Sequence, residues 1–375
     1  MVSVARQSLL HEWRRFVAAI LTLAFSGLLI LVQVGLLLGQ LEAFTLPISR
    51  ARADLWVTAA NIGSWEQSTI VAARTEGAFW SHPAVRDVQE MGLGQGEWRT
   101  GGGGRQNVMV AGVSVQRGSL SDMVGFEPDT LSLLAHPDAV VIDRTDADKL
   151  GARIGSTAEI AGKRVTIVGF VRGFRSNVMP IVFTSQATLR QINQDWGGNG
   201  PPYFLLDLDP RFDTEAVRRE LDAEGASRGY AVSTPRGLIL RSARFWLEES
   251  GSGTSFAFSM LLAMIVGVGV TSQTMRGTIA ASLKEYAALR ALGVRVGQLR
   301  AIVIEQSVWV AVAGIVLMFA AAVALGGIAW LAGIPLVMPW WINLPTAAFV
   351  AVIACLSGAL SLSVLYRSEP ADLLR

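Results

Sequence analysis

The chain has 375 residues, of which 51% are hydrophobic and only 17% charged, with a net charge of +2. The charged share falls well below the rough quarter usual in soluble domains, which argues against a wholly soluble protein. The single cysteine, Cys355, excludes a fold stapled by internal disulfides.

Charge is confined to certain segments. Phe16 to Leu41, Gly251 to Met275, and Gln306 to Tyr366 contain no Asp, Glu, Lys, Arg or His. A bilayer span needs about 20 apolar residues. The first two runs hold one span each. The third holds two, with a break at Gly333–Ile334–Pro335 and Pro339–Trp340–Trp341. The first run is too long for the apolar core of a signal peptide, and "LLLGQLEAFTLP" is a poor cleavage site. The expected fold is an α-helical membrane protein with four transmembrane helices and a large α+β extracytoplasmic domain between helices 1 and 2.

Charge placement orients the chain. Arg6, Arg14 and Arg15 precede the first span, and Arg276, Lys284, Arg290, Arg295 and Arg300 lie between the second and third. By the positive-inside rule both termini and that loop are cytoplasmic. The expected order is a cytoplasmic helix at 1–15, a first span at 16–41 and a periplasmic domain at 42–250, with a stalk helix at 234–250. A second span follows at 251–275, then a cytoplasmic loop at 276–305 carrying a helix at 282–293. Third and fourth spans at 306–331 and 345–366 flank a short loop at 332–344, and a cytoplasmic tail occupies 367–375. The expected location is a bacterial inner membrane, with the lipid bilayer as surroundings and no nucleic-acid partner.

Within the external segment, "STAEIAGKRVTIVGFV" alternates apolar and polar residues around Ala161–Gly162–Lys163 and reads as a β-hairpin. "YFLLDLD" reads as a strand. "DTEAVRRELDAEG" reads as a helix capped by Asp213 and stopped by Gly225, and "YAVST" as a returning strand. The helix within Thr234–Ser250 could run on into the second span, with Gly251 and Gly253 as weak points. "RTGGGGRQ" reads as a flexible hairpin loop.

Catalytic and nucleotide motifs do not appear. Gly162–Lys163–Arg164 is the nearest approach to a phosphate-binding loop, but Thr157 stands where its first glycine belongs and Arg164 where Ser or Thr belongs. His11, His82 and His136 are scattered. The chain is therefore expected not to be an enzyme and to hold no cofactor or metal. The spans carry no ionisable residue, which argues against a proton-driven carrier. Small residues recur instead. Gly251, Ser255, Ser259, Ala263, Gly267 and Thr271 repeat every four residues in the second span, and Gly27, Gly35 and Gly39 share a face of the first. Such ladders let helices approach closely. The expected contact is between the second span and the first span of a partner copy.

The loop helix Ser282–Leu292 is not cleanly amphipathic. Tyr286, Leu289 and Leu292 share a side, but Glu285 sits among them, which fits a protein socket better than a lipid surface. "KEYAALRALGVRVGQL" resembles the coupling helix of MacB/FtsX-type ABC transporter permeases. "FSGLLILVQVGLLLG" with "ADLWV", "VVIDRTDADKLG" with "GSTAEIAGKRVTIVGFVRG", "RSARFWLEESGSGTSFAFSM", "VIEQSVWVA" and "RSEPADLLR" resemble segments of the DevC-like branch, in order along nearly the whole chain.

The resemblance implies a permease homodimer with a separate cytoplasmic ABC ATPase dimer, in which ATP and Mg are bound. It places Glu285, Leu289, Arg290, Ala291 and Gly293 at coupling-helix positions. Tyr286 and Leu292 complete the surface expected to meet the ATPase. It further implies transmission of ATP-driven motion to the periplasmic domain, and export through an adaptor (a membrane fusion protein) and a TolC-like outer-membrane channel. An FtsX-like transmitter acting on a cell-wall hydrolase, or extraction of lipid or lipoprotein, is the alternative.

Overall fold

The structure, a computed structural model, describes residues 13–367 apart from 68, 101–103, 117, 124, 128, 176–178, 194–199, 250, 282–293, 295, 333 and 335. The chain forms two compact units. One comprises Met1–Gly39 with Thr254–Arg375, the other Gln40–Gly253.

Four long helices supply the first unit. They are α1 (Trp13–Arg50), which runs on into the second unit, and the helices at Ser252–Ala281, Val296–Ala332 and Trp340–Arg367. Among the described residues, three stretches are long and apolar enough to cross a membrane: Phe16–Arg50, Gly253–Thr274 and Ile304–Ala332. The apolar part of the last helix, Trp340–Leu356, is shorter. The third and fourth helices are separated after Ala332, where Ile334 N–H still reaches back to Ala329 O at 2.8 Å.

The second unit is α+β, with nine strands among the described residues. In chain order they are β1 (Leu55–Ala59), β2 (Val85–Thr100), β3 (Arg105–Val113), β4 (Ala139–Asp143), β5 (Thr157–Ile160), β6 (Lys163–Val171), β7 (Ile181–Ser185), β8 (Tyr203–Leu208) and β9 (Tyr230–Ser233). Short helices α2 (Glu76–Ser81), α3 (Thr130–Leu134) and α4 (Gln186–Ile192) punctuate them. The longer α5 (Thr214–Arg228) and α6 (Pro235–Glu248) follow. The three remaining membrane-type helices are then α7 (Ser252–Ala281), α8 (Val296–Ala332) and α9 (Trp340–Arg367).

The long strand β2 serves two sheets. Its first half, Val85–Met91, pairs with β8, and β8–β1–β9 continues antiparallel. Its second half pairs with β3 from Gly92 to Arg99 and with β5 from Trp98 to Thr100. From β3 the ladder continues through β7, β4, β6 and β5, returning to β2. Six strands thus close on themselves as a barrel. Its interior draws on all six, including Trp98, Val110, Val140, Ile160, Ile167 and Val182, and is plugged by Leu189 and Ile192 of α4. A barrel this small is filled by its own side chains. Trp98 Nε1 donates to Leu150 O at 3.0 Å, satisfying the one polar atom of that ring.

A second core lies around Trp56, Met91, Phe174, Phe183 and Tyr203, and a third under α2 and α5 around Phe79, Phe204 and Leu221. Edge-to-face contacts bind the aromatic residues, with Phe174 and Phe183 centroids 4.8 Å apart and Phe79 and Tyr230 5.2 Å apart.

The hairpin expected at 156–171 is present as β5–β6, turning at Ala161 and Gly162, both at positive φ. The "RTGGGGRQ" segment joins β2 to β3, with Arg99 opposite Arg105. The helix expected to stop at Gly225 instead runs to Arg228 and is capped by Gly229 at φ +82. Gly225 serves packing. A Cβ there would collide with the carbonyl oxygen of Tyr230, so the helix needs glycine to lie against the strand that follows. Asp213 caps its start by accepting from Ala216 N at 2.9 Å, as expected.

One buried acid accepts no hydrogen bond. After β4, Asp143 accepts from Thr145 N at 2.8 Å and from Phe174 N at 2.7 Å, tying that strand's end to the segment after β6. Asp146, one turn on, is also fully buried, yet neither carboxylate oxygen has a hydrogen bond. Lys149 Nζ lies 3.6 Å away and is half exposed. Burial pushes the Asp146 pKa up to about 6, against the opposing pull of Lys149.

Candidate functional site

In the membrane-type unit, α1 packs against α8 and α9. Their shared core includes Leu23 and Leu31 of α1, Val310 and Met318 of α8, and Val350 and Ala354 of α9. Close approach depends on glycine. Any side chain at Gly27 would overlap Met318 and Val350. At Gly35 a Cβ would fall 2.9 Å from Leu336 Cδ1, and Val337 N donates to Gly35 O at 3.1 Å. Of the glycine face read in the first span, Gly27 is therefore a helix contact and Gly35 a contact with the α8–α9 connection, both within the chain.

The ladder of the second span divides along its length. Gly267 of α7 is buried, and a Cβ there would stand 2.7 Å from Cβ and Oγ of Ser26 on α1. Ser255 is exposed and Ser259 partly exposed. Ala263 and Thr271 belong to the same helix, and their side chains lie outside the described residues. The large apolar residues Phe258, Ile265 and Val266 are exposed at 62%, 56% and 55%. Contact with α1 is thus centred on Gly267, and much of α7 presents apolar surface outward.

The residues expected to meet an ATPase, Glu285, Tyr286, Leu289, Arg290, Ala291, Leu292 and Gly293, lie outside the described residues. The flanking helices end at Ala281 and begin at Val296.

Sequence reasoning missed how two helices are fastened into the α+β unit. The last turn of α1 ends at Arg50. Its guanidinium lies 4.7 Å from the Phe174 ring centroid, and Nη1 reaches Arg172 O at 3.5 Å. Positive-φ Gly173 leaves the room it occupies. Phe44, two turns earlier, stacks on Trp246 of α6 at 4.7 Å. Trp246 Nε1 donates to Glu66 Oε1, Ser64 Oγ donates to Glu66 Oε2, and Trp65 N donates to Ser242 Oγ at 3.0 Å. That loop therefore fastens α6, while α1 is held through Phe44 on Trp246 and through Arg50 on the segment after β6. Arg50 and Glu66 read as ordinary surface charges in sequence. The only signal was an arginine closing the last turn of an unusually long helix.

The stalk begins where expected, with Thr234 accepting from Gly237 N at 3.1 Å and Pro235 in the first turn. It does not continue into the next helix. α6 stops at Glu248, Gly251 adopts φ +76, and α7 starts at Ser252. Gly253 approaches the Leu247 carbonyl too closely to admit a Cβ. Of the two readings open at Gly251 and Gly253, the bend is the one formed.

Among the described residues no three His, Cys, Asp or Glu side chains come together in a way that could hold a metal ion. The built features are helix seams and attachments.

The MacB-like periplasmic core domain matches residues 16–224, and the FtsX-like permease C-terminal domain matches residues 257–370. No curated protein matches the chain. Among solved structures, it is similar to the periplasmic region of MacB from Actinobacillus actinomycetemcomitans, at 10% identity and a TM-score of 0.37, over 50% of this chain and 91% of that one. It is also similar to the extracellular domain of the noncanonic ABC-type transporter YknZ from Gram-positive bacteria, at 12% identity and a TM-score of 0.34, over 48% of this chain and 99% of that one. With both of its parts matched in order, the chain belongs to the MacB/FtsX-type ABC transporter permeases.

Proposed function

We propose that this permease is a DevC-like export subunit that carries ATP-driven motion from a separate cytoplasmic ATPase to its α+β domain. The observation that supports transmission most directly is α1. It is one continuous helix from Trp13 to Arg50, apolar along its span and clamped at its far end by Phe44 and Arg50. A helix transmits displacement along its axis through its ladder of backbone hydrogen bonds, which Pro47 interrupts only in the last turn.

In this reading the chain crosses the inner membrane four times, α9 being the fourth span, with both termini cytoplasmic. It works as a homodimer. Residues Ser282–Gly293 form a helix seated in a groove of each ATPase protomer, where ATP and Mg are held. Leu289 and Leu292 are its buried anchors, Tyr286 and Glu285 flank them, Arg290 pairs with an acidic rim, and Gly293 ends the helix. An adaptor and a TolC-like outer-membrane channel complete the route, with cargo driven from the periplasm.

The test is Leu289→Asp. A charge in a dry contact costs several kcal/mol there and leaves membrane insertion untouched. Capture of the ATPase and stimulated ATP turnover are both expected to fall at matched permease levels. Full retention of ATPase capture would overturn the assignment of the coupling surface. An FtsX-like role is separated by what co-purifies: an adaptor supports export, and a peptidoglycan hydrolase in its place would refute it.

A further inference from the structure

Two glycine–phenylalanine pairs converge on the end of α1. Gly125–Phe126 lies in the connection between β3 and α3, and Gly173–Phe174 follows β6. Both glycines have positive φ, +111 and +85, a conformation that a side chain would strain. Each also lies against the Arg50 guanidinium. A Cβ on Gly125 would stand 2.7 Å from Nη1, and one on Gly173 would stand 2.8 Å from Nη1, 2.9 Å from Nη2 and 3.2 Å from Cζ. Two segments far apart in sequence therefore lack a side chain where the same cationic group sits.

The floor beneath is aromatic. Phe126, Phe174 and Phe183 meet with ring centroids 4.8, 5.1 and 5.5 Å apart, and the guanidinium carbon lies 4.7 Å from the centroid of Phe174. At the rim, Nη1 donates to Arg172 O at 3.5 Å. The frame is held by bonds that do not involve Arg50. Phe174 N donates to Asp143 Oδ2 at 2.7 Å, and Phe126 N donates to Met123 O at 3.0 Å. A surface arginine that merely covers apolar ground needs none of this, since its long stem drapes over whatever lies nearest.

We propose that Gly125, Gly173, Phe174 and the Arg172 carbonyl form a guanidinium-binding site, with Arg50 as its resident ligand. Shape selects the ligand. A flat, delocalised, weakly hydrated cation can lie along a ring while aiming N–H groups at a carbonyl. An ammonium is compact and strongly hydrated, and it gives up more water than the ring and one carbonyl return. Removing the Arg50 side chain leaves the site open to a soluble guanidinium. The site stands whether or not α1 transmits motion, so its test measures binding and needs no ATPase.

The experiment uses full-length Arg50→Ala in detergent at pH 7, titrated with millimolar ethylguanidinium, ethylammonium or sodium chloride at matched ionic strength. The readouts are the heat of binding and the thermal midpoint. Ethylguanidinium is expected to bind saturably, to raise the midpoint towards that of wild type, and to bind roughly tenfold more tightly than ethylammonium. Wild type, whose site is filled, should not respond. Adding Phe174→Leu to the same background removes the ring but keeps an apolar side chain, and it should weaken the response by a similar factor. If Arg50→Ala does not fold, Arg50→Gln carries the same test, because it keeps a side-chain amide but no cation. Equal binding of ethylguanidinium and ethylammonium, an equal response in wild type, or an undiminished response with Phe174→Leu would sink the proposal.

Discussion

Replacing Asp146 by asparagine tests whether the barrel end stores an electrostatic cost. Its carboxylate is buried, accepts no hydrogen bond, and feels the half-exposed Lys149 at 3.6 Å, the carboxylate of Asp143 and the guanidinium of Arg175. Burial lifts its pKa from 3.8 to about 6. The folded chain therefore holds this proton more tightly than the unfolded chain does. Stability is lowest above pH 6 and rises as pH falls from there towards 3.8. A shift of about two units corresponds to about 3 kcal/mol. For a domain of this size that is a rise in melting midpoint of about 5–10 °C, most of it below pH 6. Glu97, Asp209 and Glu215 are shifted the other way, each first by an arginine hydrogen bond. Their contributions are lost only at lower pH, so a scan from pH 7.5 to 5 isolates the rising limb of Asp146. The assay is the fluorescence-detected midpoint of the full chain in detergent, with Trp98 reporting from inside the barrel. Wild type should gain stability on acidification, and Asp146→Asn should start higher at pH 7.5 and stay flat. A wild-type midpoint that falls between pH 7.5 and 5, or an Asp146→Asn slope equal to wild type, would refute the argument.

Gly267→Leu should loosen the α1–α7 contact by about 1–3 kcal/mol, because its Cβ alone would stand 2.7 Å from Ser26; unchanged detergent stability and unchanged crosslinking between cysteines on the two helices would show that the contact is dispensable. Gly253→Ala places a methyl group on the Leu247 carbonyl and should open the bend between α6 and α7, read as a change in spin-label distance between α6 and α7 that control label pairs placed within α6 alone do not show. Orientation is checked by single cysteines in a Cys355→Ser background: Ser227, exposed on α5, should react with a membrane-impermeant thiol reagent once the outer membrane is permeabilised, and position 282 should not. Ser119 and Ser185 are poor reporters because both are buried.

Local signals in the sequence mapped onto local structure. The Ala161–Gly162 turn, the Asp213 and Thr234 caps and the strand at Tyr203 each depend on neighbours within a few residues, where propensity and capping decide. The apolar helices were legible for the same reason, since a charge-free run has few other ways to be buried. Gly225 misled because glycine inside a helix looks like a terminator until the strand packed against it is seen. The glycines of α1 were recognised as a close-packing face, but nothing in their spacing says whether the opposing helix belongs to the same chain or to another.

Barrel closure was illegible for a deeper reason. It rests on β3 joining β7 and β4 joining β6 in parallel, pairings between strands separated by tens of residues. No turn specifies such a pairing. It becomes favourable only when Val110, Val140, Ile167 and Val182 can be buried together, so the information is spread over all six strands. The fastening of α1 is of the same kind. Arg50 is held by a ring and a carbonyl more than 120 residues away, and the sequence near it shows only a charged helix end. What connects the span to the domain is therefore encoded in Phe174, Arg172 and Gly173 as much as in α1 itself. On the proposed reading of α1 as the transmitting helix, substitutions that disturb transmission should appear there, far along the chain from α1.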